Sequence, residues 1–237
     1  MKKLFLLLVS AAIVVSSNAQ IGGLLKKVTG KNSNGNSNLS TEEIASGLKE
    51  ALNKGVNEGT TKLSAIDGFF KDAAIKILMP PDAQKVEKTL RNMGLGQQVD
   101  DAILTMNRAA EDAAKSAAPI FVDAIKSMSI EDAWGILKGG DSAATKYLRT
   151  KTTASLTAAF KPVIDQSLEK TGATKYWNTM FSNYNKFALN KINPDLSAYV
   201  TEKALSGIFY QIALEEMKIR KDPVARTTDL LKKVFGS

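Results

Sequence analysis

The chain has 237 residues, of which 32 are basic and 24 acidic, and it contains neither cysteine nor histidine. These two absences exclude a thiol nucleophile, an imidazole base, disulfide bonds and the commonest zinc ligands. The net charge of +8 allows weak attraction to anionic lipid, polysaccharide or nucleic acid. The basic residues are scattered, however, and no nucleic-acid-binding motif is present, so we expect an ordinary solvated basic surface.

The first nineteen residues have the pattern of a cleavable secretory signal. Lys2 and Lys3 precede an apolar or small run over residues 4–15, and Ser17-Asn18-Ala19 places small residues before Gln20. The run is shorter than the ~20 residues that span a bilayer as a helix. We therefore expect a mature chain that starts near Gln20, carries a net charge of +6 and has no transmembrane segment. No cysteine follows to carry a lipid, so we expect a soluble periplasmic protein, with secretion as the alternative.

The rest of the chain has helical punctuation throughout. Residues 20–38 predict a short amphipathic stub and a flexible Gly/Asn/Ser-rich linker. We predict one all-α domain of roughly eight to ten helices over residues 39–237, because no segment shows the alternation of a strand. Ser40 and Glu43 form a capping box for its first helix. The further helices are predicted, in chain order, at about 68–78, 82–94, 97–117, 119–128, 129–138, 141–172 with a kink or break at Pro162, 173–189, 196–221 and 230–235.

A first polar cluster lies on the alanine-rich helix. Helical spacing places Arg108 beside Glu111 and Asp112, and Asn107 beside Glu111. Such a set is typical of a surface salt-bridge ladder. The alternative is a buried polar cluster, since the opposite face is mostly alanine and its helix must be closely covered.

A second cluster follows Gly139 and Gly140, where backbone N–H groups before a helix could bind an anion. Asp141 stands where the anion would bind and is the natural helix cap, with Thr145 one turn later. The pattern therefore favours a structural role, and it lacks the spacing of a phosphate-binding P-loop.

A third cluster contains Glu215, Glu216 and Arg220. Glu216 interrupts an apolar stripe, so its carboxylate must be paired or have a raised pKa. Arg220, four residues later, is the expected partner, and Arg226 is another. The two glutamates are adjacent on a helix and point about 100° apart, unlike the facing carboxylates of a glycosidase.

One helix carries a broad aromatic face made by Tyr176, Trp177, Phe181 and Tyr184. Such a face is typical of a core. Partly covered, it would instead form a pocket for an apolar or sugar ligand.

Several stretches together resemble the bacterial domain-of-unknown-function family 4197, over about residues 39 to 236. They are M-N-R-A-A-E (106–111), I-L-x-G-G-D-x-A-A-T-x-Y (136–147), Y-V-T-x-K-A-L-x-G-I-F (199–209), E-E-x-x-I-R-x-D-P (215–223) and L-L-K-K-V-F-G (230–236). The resemblance implies an exported helical bacterial protein. It implies no activity and no catalytic residue.

We therefore expect a non-enzymatic protein of the cell envelope, without a cofactor or a metal, that binds an apolar or anionic envelope ligand or a partner protein. One alternative is a hydrolase of envelope polymers that uses Glu215, Glu216 or Asp141 as acid or base. The other is a protein-interaction module that docks a partner in an exposed helix groove.

Overall fold

The computed structural model describes residues 40–186, 191 and 195–235, so the predicted signal and linker lie outside the described residues. The described residues contain nine α-helices, two short 3-10 helices at 81–83 and 223–225, and no strand. The all-α prediction is therefore confirmed. The helices are α1 (Thr41–Ser64), α2 (Gln84–Asn92), α3 (Gly96–Ala114), α4 (Ala117–Lys126), α5 (Ile130–Lys138), α6 (Ala143–Lys170), α7 (Ala173–Tyr184), α8 (Leu196–Lys221) and α9 (Asp229–Phe235).

Local capping signals begin several of these helices. The Ser40 hydroxyl accepts the Glu43 N–H at 3.1 Å, and the Glu43 carboxylate accepts the Ser40 N–H at 2.8 Å. An equivalent reciprocal pair begins α5, and the Asp195 carboxylate caps α8 by accepting the Ala198 N–H. Each such pair satisfies backbone donors that have no partner within the helix. The bounds predicted for α8 are confirmed at both ends.

The core is built around α8, which packs against α1, α3 and α6, while α6 also packs against α3 and α4. Fully buried alanines on α3, among them Ala109, Ala110 and Ala113, let these helices approach closely. Phe121 and Phe209 meet edge to face, with 5.8 Å between ring centroids. Such pairs add to the stability that area burial provides. None of the described helices combines the length and the apolar character needed to cross a bilayer.

The helix predicted over 68–78 is wrong, since residues 65–80 form turns and extended backbone. Asp67 has a φ of 69°, in the left-handed region. A Cβ added to Gly68 would collide with the carbonyl groups of Lys62 and Leu63. The segment therefore folds back on the end of α1, and side chains of α3 bind its backbone.

The predicted start of a new helix near Pro119 is confirmed, whereas the break offered for Pro162 is absent. The alanine-rich helix ends at Ala114, and Pro119 lies in the first turn of α4, where an N–H has no partner within the helix. The helix α6 runs undivided through Pro162.

Candidate functional site

The first polar cluster is a buried anchor for the segment that follows α1. Glu111 on α3 is 3% exposed, and its Oε1 accepts the backbone N–H groups of Phe69 and Phe70 at 3.1 and 3.2 Å. Its Oε2 accepts from Arg108 Nη1 at 2.6 Å, and Arg108 Nη2 donates to Asp67 Oδ1 at 2.7 Å. This is the buried arrangement rather than the surface ladder.

Charge pairing shifts the pKa values of two groups in this cluster. The hydrogen bonds from Lys71 and Arg108 lower the pKa of Asp67. The hydrogen bonds to Glu111 and Asp67 raise the pKa of Arg108. Asp112, which the spacing also placed beside Arg108, pairs with Lys115 at 2.8 Å instead.

Asn107 is fully buried and binds the same segment further along the chain, at Ile77. Its Oδ1 accepts the Ile77 N–H at 2.9 Å, and its Nδ2 donates to the Ile77 carbonyl at 2.8 Å. Nδ2 also donates to the Ile103 carbonyl at 2.7 Å. Asn107 therefore binds both backbone groups of one residue, as a neighbouring strand would, and this explains why the segment is ordered without being helical.

The second and third clusters meet at the start of α6. Glu216 on α8 is 7% exposed, and its Oε1 accepts the Ala144 N–H at 3.0 Å. Its Oε2 accepts both the N–H and the hydroxyl of Thr145 at 2.8 Å. Arg220 Nε donates to Oε1 at 3.0 Å, and its Nη2 donates to the Ile136 carbonyl at 2.8 Å. The anion at this helix N-terminus is thus a carboxylate of the protein itself.

The prediction that Asp141 caps α6 is wrong. The residue before the helix is Ser142, whose side chain makes no capping hydrogen bond. Asp141 instead pairs with Lys221 at 2.5 Å, and this hydrogen bond lowers the pKa of Asp141. The sequence did not reveal this arrangement, because the capping carboxylate comes from Glu216 on a distant helix.

Arg226 does not pair with Glu216. Its Nε donates to the Ile219 carbonyl at 3.0 Å and its Nη2 to the Arg220 carbonyl at 2.7 Å. It therefore satisfies carbonyl groups at the C-terminal end of α8.

Glu215 faces a different helix from Glu216. It is 8% exposed, lies against Gly55 of α1, and accepts from Gln211 at 2.9 Å and from Lys218 at 3.1 Å. The hydrogen bond to Glu215 raises the pKa of Lys218. The two adjacent carboxylates do not converge on one space. Within the part of the chain that the structure describes, no group of three or more acidic side chains could hold a metal ion.

A large open cleft lies on the other side of α3. Its volume is about 680 Å³, and α2, α3, α7 and the start of α8 form its walls. We call it the α3 cleft. Its polar described residues on α3 are Gln98, Asp101 and Thr105, all at least partly accessible to solvent. Its floor consists of the buried side chains of Met79, Val99, Met106, Trp177 and Leu196.

The predicted aromatic face contributes to this cleft through one residue. Trp177 is 4% exposed and lines the cleft, and its ring centroid lies 4.3 Å from that of Phe181. The side chains of Tyr176 and Tyr184 lie outside the described residues. Gln98, Asp101 and Thr105 were not predicted as site residues from the sequence. Their spacing of three and four residues was the available signal.

A second groove of about 430 Å³ lies between α8 and residues 65–80, which we call the irregular segment. The Tyr199 hydroxyl crosses it by donating to the Leu78 carbonyl at 2.8 Å, and burial raises the pKa of Tyr199. Met79 lines both this groove and the α3 cleft. The segment held by Asn107 and Glu111 therefore forms part of the wall of each.

No curated protein and no solved structure matches this chain. A family model described as "Protein of unknown function (DUF4197)" matches residues 38–236. This range includes all three polar clusters and the α3 cleft. The chain therefore belongs to the DUF4197 family of proteins of unknown function.

Proposed function

We propose that this protein binds an apolar small molecule in the α3 cleft, without catalysing a reaction. The observation that carries the proposal is a cleft of about 680 Å³ with a buried apolar floor that includes an aromatic side chain. Small-molecule sites typically have ~300–1,000 Å³ and a mostly apolar lining with a few polar groups. The cleft has this size and this composition.

The floor is suited to a flexible apolar ligand. Met79 and Met106 contribute unbranched, polarisable side chains that adapt to different shapes. Trp177 contributes a large flat apolar surface. An alkyl chain placed here would be removed from water, at ~25 cal/mol for each Å² of apolar surface buried.

Two unpaired polar atoms lie on α7, and one of them belongs to Trp177, which lines the cleft. Trp177 Nε1 and Thr174 Oγ1 are one turn apart, and both are buried without a hydrogen-bond partner among the described residues. Buried polar atoms are paired in the great majority of cases, because leaving one unpaired costs about 1–3 kcal/mol. The unpaired Nε1 of Trp177, a residue of the cleft floor, supports a site that another molecule completes.

The carboxylates proposed as the acid or base of a hydrolase have other partners. Glu216 is bound by α6 and Arg220, Glu215 by Gln211 and Lys218, and Asp141 by Lys221. A general acid or base must reach a substrate proton within hydrogen-bond distance. These contacts favour binding over catalysis.

We also propose that the protein works outside the cytoplasm, after cleavage of residues 1–19. The support is the sequence of a positive start, a short apolar run and small residues before Gln20. The full chain should be expressed in a bacterium, and the mass of the protein in the periplasmic fraction measured. A chain that starts at Gln20 supports export, and a full-length chain confined to the cytoplasm contradicts it.

The binding proposal is tested with 1-decanol as the probe and isothermal titration calorimetry as the measurement. Ala102 is half-buried in the cleft wall, and Ala102→Phe should fill part of the cleft. We expect the wild type to bind decanol, and we expect Ala102→Phe to bind it with an affinity at least about tenfold lower. Ala124→Phe is the matched control, since Ala124 is half-buried on α4 away from the cleft. No binding to the wild type, or equal binding to Ala102→Phe, would contradict the proposal.

A further inference from the structure

We infer that the α3 cleft selects an apolar ligand with a cationic head, such as a primary ammonium, over one with an anionic head. This inference rests on the proposed binding function. It replaces the broader expectation of an apolar or anionic ligand with one stated charge.

One charged side chain is found among the described residues that line the cleft. Among the described residues that line the cleft, Asp101 alone is charged, and it is exposed to solvent. Gln98 and Thr105 lie on the same face of α3, one turn before and one turn after it. The apolar floor and this polar edge together fit an amphiphile whose chain enters first and whose head stays at α3.

Asp101 has no cation to neutralise it within the described part of the chain. Its Oδ1 accepts from Gln97 Nε2 at 2.9 Å, and no ion pair to it is present there. The nearby guanidinium of Arg91 is already engaged, by Glu87 at 3.0 Å and by Asp100 at 2.7 Å. These bonds raise the pKa of Arg91. Arg91 therefore does not neutralise the Asp101 carboxylate.

The local charge is opposite to the charge of the whole chain. The net charge of +8 attracts anions from a distance, but screening limits such attraction to about 10 Å in ordinary salt. Among the described residues that line the cleft, the charge that a bound head would meet is the Asp101 carboxylate. A primary ammonium has three N–H donors, and the side chains of Asp101, Gln98 and Thr105 all carry oxygen acceptors. A carboxylate head would instead be repelled by Asp101.

The experiment compares three decyl probes that differ only in the head: decylammonium, decanol and decanoate. The protein contains two tryptophans, so Trp134→Phe leaves Trp177 as the reporter at the cleft floor. Trp134 lies on α5 and does not line the cleft. Each probe is titrated below its micelle concentration while Trp177 fluorescence is followed. We expect decylammonium to bind about three- to tenfold more tightly than decanoate, with decanol between them.

Asp101→Asn should remove most of this preference while retaining the ability to accept from Gln97. Asp112→Asn is the matched control, because Asp112 is an exposed carboxylate on the same helix that does not line the cleft. We expect the control to keep the preference of the parent.

The outcomes separate the inference from the binding function. Decanoate binding as tightly as decylammonium would overturn the inference and leave the binding function standing. An ammonium preference that survives Asp101→Asn would overturn the role of Asp101. If no probe changes Trp177 fluorescence and calorimetry with decanol also shows no binding, both the inference and the proposed function fail.

Discussion

Glu216 on α8 accepts both the backbone N–H and the hydroxyl of Thr145, a residue 71 positions earlier in the chain. The start of α6, Glu216 and Arg220 therefore form one structural unit. A carboxylate at a helix N-terminus satisfies free backbone donors and interacts favourably with the helix dipole. This unit fixes α6 against α8, the two longest helices of the core.

Removing this carboxylate should destabilise the protein strongly. Glu216→Ala leaves the N–H groups at the start of α6 and the guanidinium of Arg220 without their acceptor in a nearly buried place. We expect a loss of about 3 kcal/mol in the free energy of unfolding, measured by urea denaturation. Asp165→Ala removes a partly exposed carboxylate from α6 and should change stability by less than about 0.5 kcal/mol. Equal effects of the two substitutions would contradict the assignment.

The two polar anchors of the irregular segment should be separable by amide hydrogen exchange. Glu111→Ala removes the acceptor of the Phe69 and Phe70 N–H groups, whereas Asn107→Ala removes the acceptor of Ile77. We expect each substitution to accelerate exchange most at its own partners. Each should also cost about 1–3 kcal/mol, because buried backbone groups lose their partners. Uniform acceleration across residues 65–80 in both variants would show that the segment opens as a single unit.

Acid should weaken the ion pairs that Asp67 makes. The folded-state pKa of Asp67 is lowered, so its ion pairs stabilise the protein above the ordinary carboxyl pKa, and this stabilisation disappears as the pH falls through the lower folded value. Asp67→Asn keeps a residue that tolerates positive φ and removes the charge. The stability gap between wild type and Asp67→Asn should therefore narrow between about pH 7 and about pH 2. A gap that stays constant over this range would show that the charge of Asp67 is not involved.

A single glycine lets the irregular segment approach α8. A Cβ added to Gly207 would lie 2.5 Å from Cε1 of the fully buried Phe69. Gly207→Ala should therefore cost about 1–3 kcal/mol through overpacking. Gly135→Ala on α5 is the matched substitution, because nothing lies within 4 Å of its added Cβ. It should stabilise the protein by about 0.5–1 kcal/mol, and a loss similar to that of Gly207→Ala would contradict this packing account.

Features set by neighbours in the sequence were predictable. The capping box at Ser40 and both ends of α8 follow from local signals, and the structure agrees with them. The pairing of Arg220 with Glu216 follows from their spacing of four residues.

Features set by distant residues were not predictable. The spacing over residues 68–78 is compatible with a helix, but Glu111 and Asn107 bind its backbone from α3. Asp141 has the position and chemistry of a cap, yet Glu216 takes that role from another helix. The α3 cleft depends on where helices fail to fill space, and an apolar stripe looks the same whether another helix or a ligand covers it.

The central claim is that the floor of the α3 cleft at Trp177 contacts a bound apolar chain. A decanol brominated near the end of its chain quenches tryptophan only on close contact, so it reports where the chain lies. We predict saturable quenching of Trp177 in Trp134→Phe, and none of Trp134 in Trp177→Phe. Quenching that is absent, or that is equal at the two tryptophans, would contradict the claim.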